Sequence, residues 1–177
     1  MADITIPDPS LVVLIGAAGA GKSTFAARHF EPSEILSSDA FRAMIAGDPA
    51  DQSATRAAFG RLHRELARRL ATGRLSVVDA TNVDRSARRA LLRRAVAVGV
   101  PAAAIVFDLP TGVVLTRNAM RRERVVEERI VRDHLARLRL AIDAPTALNL
   151  RSEGFNLVVH LREPGDVDAT RIVRIAI

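Results

Sequence analysis

The chain has 177 residues, a length typical of one domain and sufficient to bury a substantial core. Apolar residues make up 49% and charged residues 26% of the chain, a balance that excludes an intrinsically disordered protein. Cysteine is absent, which excludes disulfides and thiolate metal sites, and the net charge of +6 favours an anionic partner such as a nucleotide or nucleic acid.

The N-terminal residues MADITIPDPS carry acids and prolines where a secretory signal would need a basic and then an apolar run. No apolar stretch of the sequence approaches the length of a membrane span. Together with the lack of cysteine, these features lead us to expect a cytoplasmic protein without a membrane partner.

Short apolar runs alternate along the chain with longer segments of helical periodicity. The predicted strands cover residues 11–15, 35–36, 75–78, 103–107 and 155–161. Helices are predicted over 22–30, after Asp39 to about 45, over 53–71 and 84–98, and from 111 to about 142. The alternation predicts an α/β fold with a mainly parallel sheet flanked by helices, in a single domain over 1–177. The tail after Leu161 has no clear assignment.

Residues 16–23, GAAGAGKS, match the G-x-x-x-x-G-K-[ST] pattern of a phosphate-binding loop between an apolar strand and a helix start. Lys22, the only lysine in the chain, would reach the β- and γ-phosphates of an NTP, and the Ser23 hydroxyl would bind Mg²⁺. This loop predicts NTP binding but leaves the phosphoryl acceptor open. The residues expected to surround the nucleotide are Gly16, Ala17, Ala18, Gly19, Ala20, Gly21, Lys22, Ser23 and Thr24.

Three predicted strands end in aspartate, and the carboxyl ends of parallel strands are where ligands bind. Asp39 and Arg42 would supply a base for an acceptor hydroxyl and a cation for an acceptor phosphodiester, unless they form only a local ion pair. Asp79 is the better candidate for a metal-side acid, acting through water. Asp108 is interpreted as structural.

The segment 116–134, TRNAMRRERVVEERIVRDH, is dense in charge. It suits a solvated helix, a nucleic-acid patch or part of an active site. In a continuous helix Arg117, Arg121 and Arg124 fall on one face. Because a phosphate-binding loop is present, we favour an arginine-bearing helical lid over about 117–130 that closes on the transferring phosphates. Oppositely charged residues of the segment would also pair along the helix, as Arg124–Glu128, Glu128–Arg132 and Arg129–Asp133.

Five sequence blocks follow one another at a characteristic spacing: SLVVLIGAAGAGKSTFAARHF, ILSSDAFR, DQSAT, LSVVDATNV and RNAMRRERVVEE. This ordered set resembles the kinase module of bacterial polynucleotide kinase-phosphatase, an RNA end-healing and sealing enzyme of the P-loop phosphotransferase superfamily. The resemblance covers nearly the whole chain. It implies transfer of the γ-phosphate of ATP or another NTP, with Mg²⁺, to the 5′-hydroxyl of an RNA or DNA end.

The resemblance also implies roles for individual residues. Asp39 corresponds to the general base, and Arg42 to the contact for the phosphate next to the terminal nucleoside. Gln52 lies in a block associated with substrate contact. Members of the family carry phosphatase and ligase modules in a longer chain, for which 177 residues leave no room, and they suggest a homodimer. The lid arginines correspond to Arg117, Arg121 and Arg124.

Tyrosine and tryptophan are absent, which argues against an aromatic platform that stacks many bases, so we expect a grip on the terminal nucleotides only. Two alternatives stay open: a small-molecule kinase on the same scaffold, and an NTP-binding regulatory module without a phosphoryl acceptor. The four histidines lack metal-like spacing and are interpreted as structural. They are His29, His63, His134 and His160.

Overall fold

The computed structural model describes residues 3–47, 55–121, 124–144 and 149–177. The strands in these ranges are β1 (Asp3–Asp8), β2 (Leu11–Ile15), β3 (Ile35–Ser37), β4 (Ser76–Asp79), β5 (Ala102–Phe107), β6 (Leu157–Leu161) and β7 (Arg171–Ala176). Five of them form a sheet in the order β3-β4-β2-β5-β6, and every neighbouring pair is parallel. The predicted α/β fold with a mainly parallel sheet is therefore confirmed.

The helices connect these strands and cover both faces of the sheet. They are α1 (Lys22–His29), α2 (Ser38–Ala46), α3 (Thr55–Ala71), α4 (Arg85–Ala97), α5 (Thr111–Ala119), α6 (Glu128–Ile142) and α7 (Pro164–Ala169), with a 3-10 turn at Arg151–Glu153. Within the described ranges, every helix is too short or too polar to cross a membrane.

The central strand β2 is buried on both faces, as a parallel strand covered by helices should be. Its alternate side chains belong to two separate apolar clusters, because successive residues of a strand point to opposite faces. Val12 and Leu14 join the cluster that includes Phe25 of α1. Leu11 and Val13 join the cluster that contains Leu62, Leu66 and Leu70 of α3.

The two ends of the chain form a parallel ribbon that the sequence did not predict. β1 pairs with β7 along its full length, from Asp3 opposite Arg171 to Asp8 opposite Ala176. The tail after Leu161, unassigned from the sequence, therefore contains α7 and a strand. Ile4 and Ile6 are buried in the apolar cluster shared with β2, so the ribbon packs on the main core.

The prediction of one helix from residue 111 to 142 is wrong. Helix α5 ends at Ala119 and α6 begins at Glu128, so Arg121 and Arg124 lie outside both helices. Helices in proteins depend on packing of an apolar face, and two apolar side chains of this segment are left exposed, Met120 at 76% and Val125 at 59%. The expected one-face alignment of the three arginines therefore does not arise from helical spacing.

The carboxyl ends of the five sheet strands share one edge, where the connections to the following helices begin. In the sheet register Asp79 lies opposite both Leu14 and Ser37, so the ends of β4, β2 and β3 are level. The phosphate-loop residues 16–21 follow β2 directly, and α2 follows β3 without a gap. The strands thus bring the predicted site segments to one place.

Candidate active site

The loop between β2 and α1 wraps tightly because its glycines allow it. Gly21 has φ of 95° and stands at the N-terminal boundary of α1, and Gly19 has φ of 84°. A Cβ on Gly19 would lie 2.8 Å from the Cβ of Asn118, which leaves no space for a side chain. The glycine spacing is thus required both by backbone conformation and by the close approach of α5.

Lys22 begins α1 and folds back over the loop. Its Nζ donates hydrogen bonds to the carbonyl oxygens of Gly16 (2.9 Å) and Ala17 (2.8 Å). Burial lowers the pKa of Lys22 to about 8, Asp79 acts to raise it, and Arg121 acts to lower it further. A buried ammonium with carbonyl partners and a cationic neighbour is suited to receive a polyanion.

Not every residue of the predicted nucleotide-binding set faces the cleft. Gly16, Ala17 and Ala20 belong to the loop but are buried and do not line the cleft. The cleft is lined by the remaining members of the set, Ala18, Gly19, Gly21, Lys22, Ser23 and Thr24.

Asp39 and Arg42 lie on the first turns of α2, at the β3 end of the cleft. The Arg42 guanidinium donates a hydrogen bond to Asp39 Oδ1, and Arg124 Nη1 lies 3.2 Å from the same oxygen. Arg42 is 6% exposed, and both its burial and the charge of Arg124 lower its pKa. The local ion pair considered from the sequence is present, and it is part of a cleft-lining cluster that includes a predicted lid arginine.

Arg117, Arg121 and Arg124 all line the cleft although they do not share a helix. Arg117 is on the last turn of α5, and a Cβ placed on Gly21 would lie 3.4 Å from its Nη1. Arg121 is close enough to Lys22 to lower its pKa. The end of α5 and the turn that follows it therefore bring the three arginines to the cleft, Arg117 and Arg121 beside the phosphate loop and Arg124 beside Asp39.

The pairings predicted along this segment are changed accordingly. Glu128–Arg132 is confirmed, at 2.8 Å. The predicted pairs Arg124–Glu128 and Arg129–Asp133 are wrong. Arg124 contacts Asp39 instead, and Arg129 contacts Glu127 at 3.3 Å. Asp133 instead contacts Arg137, at 2.9 Å.

Asn118 is a residue that sequence reasoning missed. It is 4% exposed, its Nδ2 donates to the Val126 carbonyl (2.7 Å), and its Oδ1 accepts from the Val126 N–H (3.2 Å). These two bonds tie the end of α5 to the far side of the arginine-bearing turn. No sequence pattern signals this role, because the partner lies eight residues away and outside any regular element.

Asn82 fixes the base of the phosphate loop in a similar way. It adopts φ of 49° and its Nδ2 donates to the Leu14 carbonyl at 2.8 Å. The neighbouring Thr81 carbonyl accepts from the Gly16 N–H at 2.9 Å. The loop after β4 is thus bonded to the start of the phosphate loop, which holds Asp79 beside Lys22.

Ser23 and Asp79 fit a magnesium site of the kind that P-loop proteins use. Both line the cleft, and Asp79 is 6% exposed. Mg²⁺ in such sites takes few protein ligands and completes its shell with water and phosphate oxygens. Among the described residues there is no group of three or more His, Cys, Asp or Glu side chains that could hold a metal by itself, so phosphates would have to contribute.

The remaining predicted residues divide by position. Gln52 falls in 48–54, outside the described residues. Asp108 lies away from the cleft and contacts Arg139 at 3.1 Å, as a structural role requires. Of the four histidines, only His134 lines the cleft; its pKa is lowered by burial and by the charge of Lys22.

The cleft has a volume of about 690 Å³ and runs across the carboxyl edge of the sheet. Several of its residues were not predicted from the sequence. They are Phe25, Arg28, Ser38, Thr55, Phe59, Ala80, Thr81, Val126, Ile130, His134, Val167 and Asp168.

Comparison with known proteins gives a family and a fold. The sequence profile of the AAA domain family matches residues 11–145. No curated protein sequence matches the chain. A chain in the Pnkp1/Rnl/Hen1 RNA repair complex is similar with a TM-score of 0.60 and 22% identity over 76% of this chain and 45% of that chain. The present chain thus spans less than half of that relative.

Small-molecule kinases are structural neighbours as well. A sugar kinase from Janibacter sp. is similar with a TM-score of 0.54 and 20% identity, covering 87% of this chain and 85% of that chain. A gluconokinase from Sinorhizobium meliloti is similar with a TM-score of 0.52 and 19% identity, covering 89% and 84%. At these identities the likenesses show a shared fold and leave the acceptor undetermined.

Proposed function

The chain belongs to the AAA domain family and has a P-loop kinase fold, and from this premise we propose that it is a polynucleotide 5′-hydroxyl kinase. It transfers the γ-phosphate of ATP or another NTP to the 5′-OH end of RNA or DNA in end-healing repair. The observation that carries this proposal is the Asp39–Arg42 pair at the β3 end of a cleft whose centre is the phosphate loop.

The donor triphosphate lies on the phosphate loop. Its charges face the loop N–H groups, Lys22 and the N-terminus of α1, which carries a partial positive charge. Ser23 and Asp79 would hold Mg²⁺, Asp79 through water, and the ion would supply positive charge to offset the phosphate oxygens. Arg117 reaches the same region from the last turn of α5, and Arg121 from the turn that follows it.

The acceptor hydroxyl is oriented by Asp39. The 5′-oxygen attacks the γ-phosphorus while its proton passes to the Asp39 carboxylate, and the bond from the γ-phosphorus to the β–γ bridging oxygen breaks as NDP leaves. Arg42 holds the phosphodiester next to the terminal nucleoside, because a guanidinium matches phosphate geometry. Arg124, which contacts Asp39, stabilises the negative charge of the phosphoryl group during transfer.

The structural neighbours supply a second candidate. A buried arginine beside a base would also bind the carboxylate of a sugar acid, and both a sugar kinase and a gluconokinase share the fold. In that case Arg42 would recognise a carboxylate on a small acceptor. The two candidates therefore differ in the acceptor whose phosphorylation Arg42 accelerates, a phosphodiester-bearing one or a carboxylate-bearing one.

Three acceptors separate the candidates: a nucleoside 3′-phosphate, the matching nucleoside and gluconate. We expect kcat/KM to be at least about tenfold higher for the nucleoside 3′-phosphate than for the nucleoside, the worth of one hydrogen bond to a charged group. Arg42→Ala should remove this preference, and Arg61→Ala, an exposed arginine of α3 outside the cleft, should retain it. Faster phosphorylation of gluconate than of either nucleoside derivative would contradict the proposal.

The same proposal extends to partners. The RNA repair complex that contains a similar chain favours cooperation with phosphatase and ligase modules, either as separate proteins or in a longer parent chain. We further propose a homodimer and a cytoplasmic setting, the latter in line with the absence of cysteine.

A further inference from the structure

Helices α3 and α4 run side by side away from the cleft. Helix α3 begins at Thr55, which lines the cleft, and leads to the amino end of β4. Helix α4 follows Thr81, which also lines the cleft, and leads to the amino end of β5. Both helices therefore start at the carboxyl edge of the sheet and descend from it in the same direction, so the surface that they share is continuous with the cleft.

The charges of these two helices are strongly unbalanced. Helix α4 contains five arginines and no acidic residue, and α3 contains five arginines and a single acid, Glu65. The Glu65 carboxylate is already shared by Arg68 and Arg69, each at 2.8 Å. Among the exposed arginines that have no carboxylate partner within the described part of the chain, four define what we call the α3–α4 arginine surface: Arg56 and Arg64 of α3, and Arg89 and Arg93 of α4.

Contacts between the helices bring the α4 arginines next to α3. Arg94 Nε donates a hydrogen bond to the His63 carbonyl oxygen at 3.1 Å, so the two helices touch at this level. Burial and the charges of Arg94 and Arg93 lower the pKa of His63 to about 4, which places Arg93 beside the same residue. Arg89 lies one helical turn before Arg93, towards the cleft.

The α3 arginines lie on the side of their helix that faces α4. Arg56 precedes His63 by seven residues, a spacing that returns to the same helical face. A Cβ on Gly60 would lie 3.7 Å from Arg64 Nη1, so the Arg64 guanidinium lies over Gly60, one turn from Arg56. Arg61 belongs to the other flank of α3, one turn before Glu65.

This surface suits a linear chain of phosphates. From Arg56 to Arg64 helix α3 advances about 12 Å at 1.5 Å per residue, which exceeds the reach of a single small anion. A guanidinium matches phosphate geometry, and cations without carboxylate partners attract a polyanion that replaces their mutual repulsion with favourable contacts. Phosphate contacts need no aromatic platform, so the absence of tyrosine and tryptophan does not oppose them.

We propose that the α3–α4 arginine surface binds the phosphodiester backbone of the acceptor strand downstream of its 5′ end. This inference rests on the proposed polynucleotide acceptor, and it extends the grip beyond the terminal nucleotides expected from the sequence. Contacts to phosphates read no bases, so the surface accepts any sequence.

Binding of 5′-phosphorylated single strands of two lengths, a dinucleotide and an oligonucleotide of about twelve nucleotides, tests the surface without phosphoryl transfer. The ratio of the dinucleotide Kd to the oligonucleotide Kd isolates the downstream contacts, because both ligands place the same end in the cleft. The double variant Arg64→Ala/Arg93→Ala should lower this ratio at least about tenfold. It should also reduce the salt dependence of log Kd for the longer strand by about 1.4, since each phosphate contact on a single strand contributes about 0.7.

The double variant Arg151→Ala/Arg171→Ala is the matched control, because it removes the same charge from exposed positions outside both the cleft and the α3–α4 arginine surface. It should leave the ratio and the salt dependence near the wild-type values. A long strand that binds wild-type protein no tighter than the dinucleotide, or equal losses in the two variants, would overturn the inference. Absence of transfer to 5′-OH ends of either length, with length-dependent binding intact, would instead count against the proposed kinase reaction alone.

Discussion

At the scale of single residues, Lys22 shows how burial prepares a side chain for an anion. Its pKa is lowered to about 8 by burial and by Arg121, with Asp79 opposing. Between pH 8 and its ordinary pKa of 10.5, the folded protein binds less proton at Lys22 than the unfolded chain does. Lys22 therefore reduces stability below pH 8, and this cost is relieved as the pH rises towards 10.5.

A triphosphate on the loop should reverse this shift, because a nearby anion favours the charged ammonium. We predict that NTP binding at pH 9 takes up close to, and at most about, one proton, and that uptake from Lys22 is small at pH 7. Calorimetric titration in two buffers of different ionisation enthalpy measures the uptake. Lys22→Arg should bind with little uptake at pH 9, since an arginine stays protonated there. Equal uptake at pH 9 in both proteins would contradict the assignment.

At the scale of elements, the turn between α5 and α6 holds Arg121 and Arg124 in the cleft. Asn118 holds both polar backbone groups of Val126 and thereby closes the turn that carries Arg121 and Arg124. The turn also packs on the core through Val126, which is 9% exposed. These contacts anchor the two ends of the turn.

Asn118→Ala should therefore cost both stability and activity. Removing the side chain leaves two buried backbone groups unpaired, and we expect a loss of about 1–3 kcal/mol in the free energy of unfolding. We expect kcat to fall at least about tenfold, because misplaced catalytic groups lose transition-state stabilisation. Urea unfolding and steady-state kinetics measure the two effects.

Asn156→Ala is the matched control for Asn118→Ala. The Asn156 Oδ1 accepts from the Ala102 N–H at 2.9 Å, at the amino end of β5 and away from the cleft. Its replacement should reduce stability but leave kcat near the wild-type value. If both variants lose the same activity, the turn has no special role in positioning.

A buried ion pair joins α4 to the 3-10 turn before β6. Arg88 and Glu153 form a bidentate contact at 2.8 and 2.7 Å, and both side chains are 1% exposed. Arg88 also donates to the Asn82 and Val83 carbonyls at 3.0 and 2.6 Å, so the pair supports the loop behind the phosphate site.

Glu153→Ala should reduce the free energy of unfolding by about 3–5 kcal/mol, because it leaves a buried guanidinium without its counter-charge. Arg171→Ala, which breaks an exposed ion pair with Asp3, should cost no more than about 1 kcal/mol. Urea unfolding of the two variants under the same conditions provides the comparison. Similar losses for both would show that the Arg88–Glu153 pair contributes no more than a surface pair.

At the scale of the whole molecule, the sheet order brings the candidate site residues to one edge. The strand ends place Asp39 and Arg42 after β3, Asp79 at the end of β4 and the phosphate loop after β2, with α7 beyond β6. The parallel sheet therefore gathers these residues along its carboxyl edge, where open α/β sheets bind their ligands.

The parts of this arrangement that depend on local patterns could be predicted from the sequence. The loop before Lys22 follows from a short motif, and Asp39 and Arg42 follow from a strand end and a spacing of three residues. The β1–β7 ribbon could not be predicted, because it pairs residues as distant as Asp3 and Arg171. The Arg88–Glu153 pair was missed for the same reason.

The arginine-bearing segment shows where a local pattern misleads. Its charge spacing fits a helix, and the three arginines do line the predicted cleft, but the helix that was expected to align them is interrupted. The spacing of residues in the sequence predicts which side chains would share a helical face, whereas packing determines whether the helix forms. Burial of Asn118 and Val126 decides the outcome here.

Transfer of label from γ-labelled ATP, with Mg²⁺, to a 5′-OH oligonucleotide in the presence of equimolar gluconate and free nucleoside tests the central claim most directly. We predict that the wild-type protein labels the 5′ end of the oligonucleotide, and that Asp39→Ala binds ATP but transfers essentially no label. Label on gluconate, on the nucleoside or only on free phosphate would contradict the polynucleotide assignment. Normal transfer by Asp39→Ala would contradict the proposed base.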